Sequence, residues 1–313
     1  MDCDVVVVGA GVAGLSATSI LKQAGKQVQC LEATNRIAAL ERDSDAADKI
    51  DGDRAYRILD GYDSIPDSIR RSIPDHESAI RLNSIVDRVK WRRGHVEVQH
   101  LSTVDHQKTV VRCRQLIVTV PLGVLQANSD CGAIQFEPAP ERILKAAHRL
   151  RFGHAYRITF RFQSAFWEDE ERFKRVGFLV SNDKRFFTWW TTRPLITPLL
   201  TAWMAGSAAE EFPTGDTSMV SIEALKSLAR ILGRKIPTPQ DVYFHNWRRD
   251  PFFRGAYSYA PVHALTARRV LATPLDGTLF FAGEAAETRG HSGTVHGAIA
   301  SGLRSARLAL RVM

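Results

Sequence analysis

Three glycines at a fixed spacing are the first residues in this chain that could do chemistry. Gly9-Ala10-Gly11-Val12-Ala13-Gly14 follows directly on the β-branched run Val5-Val6-Val7-Val8. In a strand–turn–helix setting the first glycine permits the tight turn. The second lets the backbone approach a diphosphate, and the third lets the helix pack closely on the sheet. The helix read for residues 12–24 opens with Val12 and Ala13, carries Leu15, Ile20 and Leu21, and meets Gly25 where it should end. Its first N–H groups and the positive end of its dipole are what a diphosphate binds. Residues 28–31 read as a second strand that ends at Glu32, with Ala33 beside it. A carboxylate there accepts hydrogen bonds from ribose hydroxyls and disfavours an extra 2′-phosphate. A Gly-rich turn alone is a weak signal, but strand, turn, helix, strand and acid fall here in order. They mark a dinucleotide site, and the spacing does not choose between FAD and NAD.

A second group of residues stands near the C-terminus. Residues 277–284 form an apolar strand ending in Ala282-Gly283-Glu284, and after a short loop Gly293-Thr294-Val295-His296-Gly297 leads into a helix through residue 308. Read alone, this is a core strand and a helix with small residues for close packing. Joined to the N-terminal motif, it resembles the closing segment of the flavin amine oxidases, the family of monoamine and polyamine oxidases. The resemblance continues at residues 61–69 (a glycine turn and helix), at 80–86, where Val86 matches the adenine side, and at 116–125, which includes Thr119. Phe136-Glu137-Pro138, Lys145, Gly153, Phe166-Trp167 and residues 247–259 keep the same register, so the similarity covers nearly the whole chain.

The resemblance implies FAD as cofactor. The matching positions are Gly9, Gly11, Val12, Ala13, Gly14, Glu32, Ala33, Arg36, Val86, Thr119, Gly283, Glu284, Gly293, Thr294 and Val295. In the family the Gly-Glu pair and the start of the last helix contact the ribityl-diphosphate and the flavin ring, where a helix N-terminus favours negative charge. No cysteine stands near Tyr257 at the position some members use to tether flavin, so the implied FAD is non-covalent. The implied reaction is oxidation of a C–N bond by hydride transfer to flavin N5, with O2 as acceptor. The implied partner is a small molecule, an amine or, as in related desaturases, a non-amine.

Four departures from the family pattern bear on that reaction. Arg36-Ile37 is kept, but the family's Gly-Gly-Arg turn reads Ala38-Ala39-Leu40, which leaves Arg36 as the local cation. Losing one charge-assisted contact costs about 1.5–3 kcal/mol, which a ligand held by many groups survives. The family's long stretch before the glycine turn is reduced to residues 40–59, and the acidic run 41–53 lacks the order of a calcium loop. A more open flavin and no metal site are expected. The family's lysine near flavin N5 falls at Arg157, which keeps a charge but cannot readily shed a proton. Of the family's two rings flanking the substrate nitrogen, Tyr257 keeps one, suited to a neutral or cationic amine. The other falls at Thr294, which has no ring, with His291 nearby. Arg157, Tyr257 and Thr294 are therefore the catalytic candidates. Against them stand plainer readings: Arg157 as an exposed strand residue, and Tyr257 with Tyr259 as alternating core aromatics. A non-catalytic FAD-binding module with a partner-binding role is the alternative to an enzyme.

These residues need an α/β architecture: a Rossmann-like FAD-binding domain of the glutathione-reductase type, with a second α+β substrate domain built on an antiparallel sheet. The expected division is 1–132 plus 272–313 for the first and 133–271 for the second. In the latter, residues 155–162, 176–180, 186–191 and 201–205 read as strands. Residues 217–232 read as a helix with Ile222, Leu225, Leu228, Ala229 and Leu232 on one face. Trp189, Trp190 and Trp203 could line a pocket or fill the sheet. The chain has 313 residues, 44% hydrophobic and 24% charged, as a globular protein should. The net charge of +8 is scattered, and no nucleic-acid-binding module is visible. The four cysteines form no C-x-x-C pair and the start Met1-Asp2-Cys3-Asp4 is acidic, so a cytoplasmic setting is expected. No apolar run is long enough to span a membrane. Oligomeric state is not written in the sequence.

Overall fold

Alternate residues of the strand Val5–Val8 feed two different cores. Val5 and Val7 pack with Leu15, Leu21, Ala306 and Ala309, whereas Val6 and Val8 pack with Val89, Val98, Ala147 and Leu271. A strand covered on both faces has no polar side to present, which is why its sequence reads as an unbroken apolar run. It is the centre of a five-stranded parallel sheet in the order Leu279–Phe281, Gln115–Val118, Val5–Val8, Val28–Leu31, Ile80–Arg81. The computed structural model describes residues 1–37, 61–128, 130–212 and 216–313. The turn at 38–40 and the acidic run at 41–53 lie outside the described residues.

The helices Val12–Gln23 and Val295–Arg311 pack on the sheet and on each other at backbone distance. A Cβ on Gly302 would stand 2.1 Å from the Ala13 carbonyl oxygen, and one on Gly14 would stand 1.9 Å from that of Gly9. On the other face lies a four-stranded sheet, in the order Lys108–Cys113, His95–Ser102, Ser84–Arg92, Gln135–Glu137. Its Val89, Val96 and Val98 are fully buried, each contributing about 1.5–3 kcal/mol of transfer free energy.

The chain divides into two compact units, Met1–Phe152 with Pro251–Met313, and Gly153–Asp250. Residues 133–152 and 251–271, assigned from sequence to the substrate half, belong by contact to the first unit. The reason is packing: Ile143, Ala146, Leu150, Ala267 and Leu271 share a core with Val6 and Val118.

The second unit is an antiparallel sheet in the order Phe178–Val180, Thr188–Thr191, Leu199–Ala205, Ala155–Arg161, Asp241–Phe244. The helix Thr217–Leu232 starts where the Asp216 side chain accepts the Met219 N–H and stops at Gly233, whose φ is 66°. Its buried face is Val220, Ala224, Ser227, Leu228 and Leu232. Ile222, expected on that face, is 51% exposed, because at about 100° per residue it falls on the side of the helix away from Val220 and Ala224. Trp189 is fully buried, stacks on Phe160 at 5.9 Å and donates its indole N–H to the Phe186 carbonyl. It fills the sheet rather than lining a pocket.

Candidate active site

The glycine turn is fastened by Thr119, whose hydroxyl donates to the carbonyls of Val8 (2.8 Å) and Gly9 (3.1 Å). Gly9 has a φ of 99°, a left-handed value that side chains disfavour, and its N–H donates to the Leu31 carbonyl. Gly11 is the N-cap of the first helix and has no side-chain cap. A Cβ there would meet nothing within 4 Å. The first N–H groups of the helix, among them those of Val12 and Ala13, have no acceptor within it, and the space beside Gly11 is an open cradle that a side chain there would enter.

Glu32 stands at the mouth of this cradle. One carboxylate oxygen accepts the Ala10 N–H at 2.7 Å, and the other accepts the N–H and hydroxyl of Thr34 at 3.0 and 2.9 Å. These bonds fix the carboxylate while leaving lone pairs for a further donor. The Glu32 carbonyl accepts the Ser84 N–H at 2.8 Å, which ties Glu32 to the strand carrying Val86. Val86 is buried opposite His100, Ala33 is half-buried, and Arg36 is exposed. An open cradle, an uncapped helix N-terminus and a fixed carboxylate together fit the diphosphate and ribose of a dinucleotide such as FAD.

The C-terminal group of residues meets this turn. Ala282 N–H donates to Val118 O, and a Cβ on Gly283 would lie 3.9 Å from Thr119 O. Gly283 has a φ of 122°, and its N–H donates to the Ser301 hydroxyl of the last helix. Glu284 turns inward. Its carboxylate accepts the Ser258 N–H (3.0 Å), the Ser258 hydroxyl (2.6 Å) and the Gly293 N–H (2.9 Å). Arg268, only 8% exposed, donates to the Ser258 hydroxyl and carbonyl and to the Ala285 carbonyl. Burial lowers its pKa, and the charges of Glu284 and Glu287 oppose that shift. The neighbouring Glu287 is 2% exposed. Burial pushes its carboxyl up, but N–H donors from Arg289, His291 and Thr288 outweigh this and hold it below the usual range.

This clamp sets the strand Tyr257–Tyr259. Ser258 is the buried residue, Tyr257 is half-buried and Tyr259 is 42% exposed. The two tyrosines are thus not alternating core aromatics; the strand points its serine inward to reach Glu284 and turns both rings the other way. Tyr257 lies beside Gly293, where a Cβ would be 3.8 Å from its own, and burial raises its phenol pKa. Thr294 caps the last helix. Its hydroxyl accepts the Gly297 N–H at 3.1 Å and donates to the His291 carbonyl at 2.7 Å. Val295 opens that helix and is half-buried, while the exposed His291 and His296 rings meet edge to face at 4.9 Å.

The first unit therefore brings together Gly9, Gly11, Gly14, Glu32, Val86, Thr119, Tyr257, Gly283, Glu284, Gly293, Thr294 and Val295 through the bonds and packing just described. Arg157 belongs to the second unit. It is half-buried on the strand Ala155–Arg161, across from Trp203, on the face opposite Tyr156, Ile158 and Phe160, so it is not a fully exposed strand residue. Sequence reasoning did not single out Thr34, Ser258, Arg268 or Ser301. A serine between two tyrosines and an arginine in an Arg-Arg pair carry no pattern that announces a buried network.

Comparison with known proteins agrees with this fold. The model of the flavin containing amine oxidoreductases matches residues 42–310, and that of an FAD binding domain matches residues 2–45. The chain belongs to the flavin containing amine oxidoreductase family, and its cofactor is FAD, held non-covalently. Lysine-specific histone demethylase 1 homolog 2 of Arabidopsis thaliana is 33% identical over 285 residues, covering 89% of this chain and 36% of the relative. A possible lysine-specific histone demethylase 1 of Drosophila melanogaster is 30% identical, covering 80% of this chain and 29% of that protein. The chain thus spans about a third of the length of these curated relatives. A putrescine oxidase solved with putrescine bound superimposes with a TM-score of 0.78 at 15% identity, covering 99% of both chains. Among the described residues no helix is long and apolar enough to cross a membrane.

Proposed function

We propose that this chain oxidises the C–N bond of an amine, with O2 as the final electron acceptor. The observation that carries the reading is Tyr257, held beside Gly293 by the Ser258–Glu284–Arg268 clamp. Bound FAD would supply the acceptor for the hydride that leaves the carbon next to the substrate nitrogen. The chain's own residues do the rest. Gly11, Val12 and Ala13 bind the diphosphate through backbone N–H groups, and Glu32 accepts from the ribose. Gly283, Gly293 and Val295 hold the flavin half, where the start of the last helix favours negative charge. Tyr257 offers a ring face that suits a neutral or cationic amine.

Amine is the proposed substrate class. The demethylases among its relatives and the putrescine oxidase that shares its fold suggest two arms for the test, a methyl-lysine peptide and a set of small amines. The protein loaded with FAD is incubated with each, and hydrogen peroxide and the aldehyde product are measured. Both products rise with at least one amine if the reading holds. FAD bound with no product across both arms defeats it. A second reading, an FAD-binding module without turnover, draws on Thr294: its hydroxyl is committed to capping the helix, and it offers no second ring.

A further inference from the structure

The four cysteines are all free, but two of them are neighbours. The chain before the strand Val5–Val8 runs alongside the end of the strand Lys108–Cys113. Cys3 N–H donates to Arg112 O at 3.3 Å, and Arg114 N–H donates to Asp4 O at 3.0 Å, so Cys3 and Cys113 are bracketed on both sides. The offset between them continues the parallel register that pairs Val5 with Gln115. Residues facing each other across a parallel pair send their side chains to the same face. Adjacent strands lie about 4.7–4.9 Å apart, inside the Cα window of about 4.4–6.8 Å that a disulfide spans.

The two thiols differ in a useful way. Cys113 is fully buried in the core and Cys3 is half-buried against it. The neighbouring Cys113 thiol lowers the Cys3 pKa from its ordinary value, and the Cys3 thiol donates to the Val5 carbonyl at 3.5 Å. The same proximity of the two thiols, with burial, raises that of Cys113. Cys3 is thus the more readily ionised and more accessible sulfur, and Cys113 is the thiol in the core it packs against. The other two cysteines lack this arrangement. Cys30 is buried with its thiol pushed up to about 12 by desolvation, and Cys131 is exposed with no second thiol beside it.

We propose that Cys3 and Cys113 form an oxidisable dithiol site that hydrogen peroxide converts to a disulfide. The Cys3 thiolate attacks one peroxide oxygen, the O–O bond breaks, and the departing hydroxide takes up a proton to leave as water. Cys3 is then a sulfenic acid. Cys113 attacks that sulfur and displaces its oxygen as a second water, its thiol proton accounting for the balance. In sum, two thiols and one peroxide give one disulfide and two waters. The bond would close a loop over residues 3–113, which contains the glycine turn and Glu32. Transfer of electrons to O2 at the flavin would generate the same oxidant locally, but the site does not depend on it.

The test supplies the peroxide directly, so its failure is separate from failure of the oxidase reading. The full chain with FAD bound is reduced, exposed to increasing hydrogen peroxide, denatured, alkylated and mapped by peptide mass. The expected result is joint loss of alkylation at Cys3 and Cys113 before any loss at Cys131. A linked peptide pair lighter by two hydrogens appears and is restored by dithiothreitol. In Cys113→Ser the sulfenic acid at Cys3 persists and is trapped by dimedone. Should that variant not fold, Cys3→Ser provides the counterpart, in which Cys113 stays fully alkylated at the same peroxide. The proposal is overturned if Cys131 oxidises first while Cys3 and Cys113 remain alkylated. It is equally overturned if wild-type Cys3 passes to the sulfinic acid with Cys113 still free, or if Cys113 in Cys3→Ser oxidises as readily as in the wild type.

Discussion

Replacing Gly11 by alanine separates cofactor binding from folding. Gly11 has φ −67° and ψ 173°, an extended conformation open to any residue, and a Cβ there meets no atom within 4 Å. Alanine is a poorer N-cap than glycine by a fraction of a kcal/mol. It also removes about 0.4–1 kcal/mol of unfolded-state entropy, so the two effects nearly cancel. The apo-protein should melt within about 2 °C of the wild type. The methyl group, however, stands in the cradle where the diphosphate must approach the helix N–H groups. Losing one charge-assisted hydrogen bond costs about 1.5–3 kcal/mol, or about ten- to hundredfold in Kd. The assay is a thermal melt without cofactor together with an FAD titration followed by flavin fluorescence. An FAD affinity within twofold of wild type, in a variant whose melt is unchanged, would refute the placement of the diphosphate. A collapsed apo melt would refute the open cradle.

Substitutions at three other positions test the supporting structure. Gly302→Ala would put a Cβ 2.1 Å from the Ala13 carbonyl oxygen; forcing the two helices apart costs about 1–3 kcal/mol or more, seen as a lower melting temperature with or without FAD. Arg268→Ala strips the donors from Ser258 O and Ala285 O and removes a positive charge near the Glu284 and Glu287 carboxylates. Loss of about 1–3 kcal/mol is expected in urea unfolding, with Arg268→Lys recovering only part because lysine lacks the guanidinium fork. Glu287 has a depressed folded pKa, so the stability it contributes is present above its unfolded value of about 4.3 and is lost as pH falls through the folded value. Glu287→Gln should flatten the acid side of the stability–pH curve below about pH 5, and an unchanged slope would contradict that assignment.

Much of the nucleotide half was legible because its chemistry constrains residue types locally. The turn from Gly9 to Gly14, the helix behind it and the acid at Glu32 each follow from neighbours within a few residues. What the sequence hid was long-range. Nothing near Arg268 says that it will be buried against a serine ten residues upstream and a carbonyl 17 residues downstream. The outward turn of Tyr257 and Tyr259 followed from that same network, whereas an alternating aromatic pair alone suggests a core. The helix Thr217–Leu232 shows a smaller failure of the same kind. Its apolar residues wrap more than one face, so the pattern admitted Ile222 where packing chose Val220 and Ala224. Unit boundaries were hidden because Ile143 and Leu271 carry no mark of which core they join.

The account's central claim is that FAD held at the Gly9–Gly14 turn and the start of the last helix accepts electrons from an amine poised by Tyr257. It is tested most directly by anaerobic mixing of the FAD-loaded protein with amines while the visible flavin spectrum is followed. The account predicts that the oxidised flavin band bleaches with at least one amine, and more slowly in Tyr257→Ala at the same FAD occupancy. A bound flavin that stays oxidised with methyl-lysine peptides and small amines alike would contradict it.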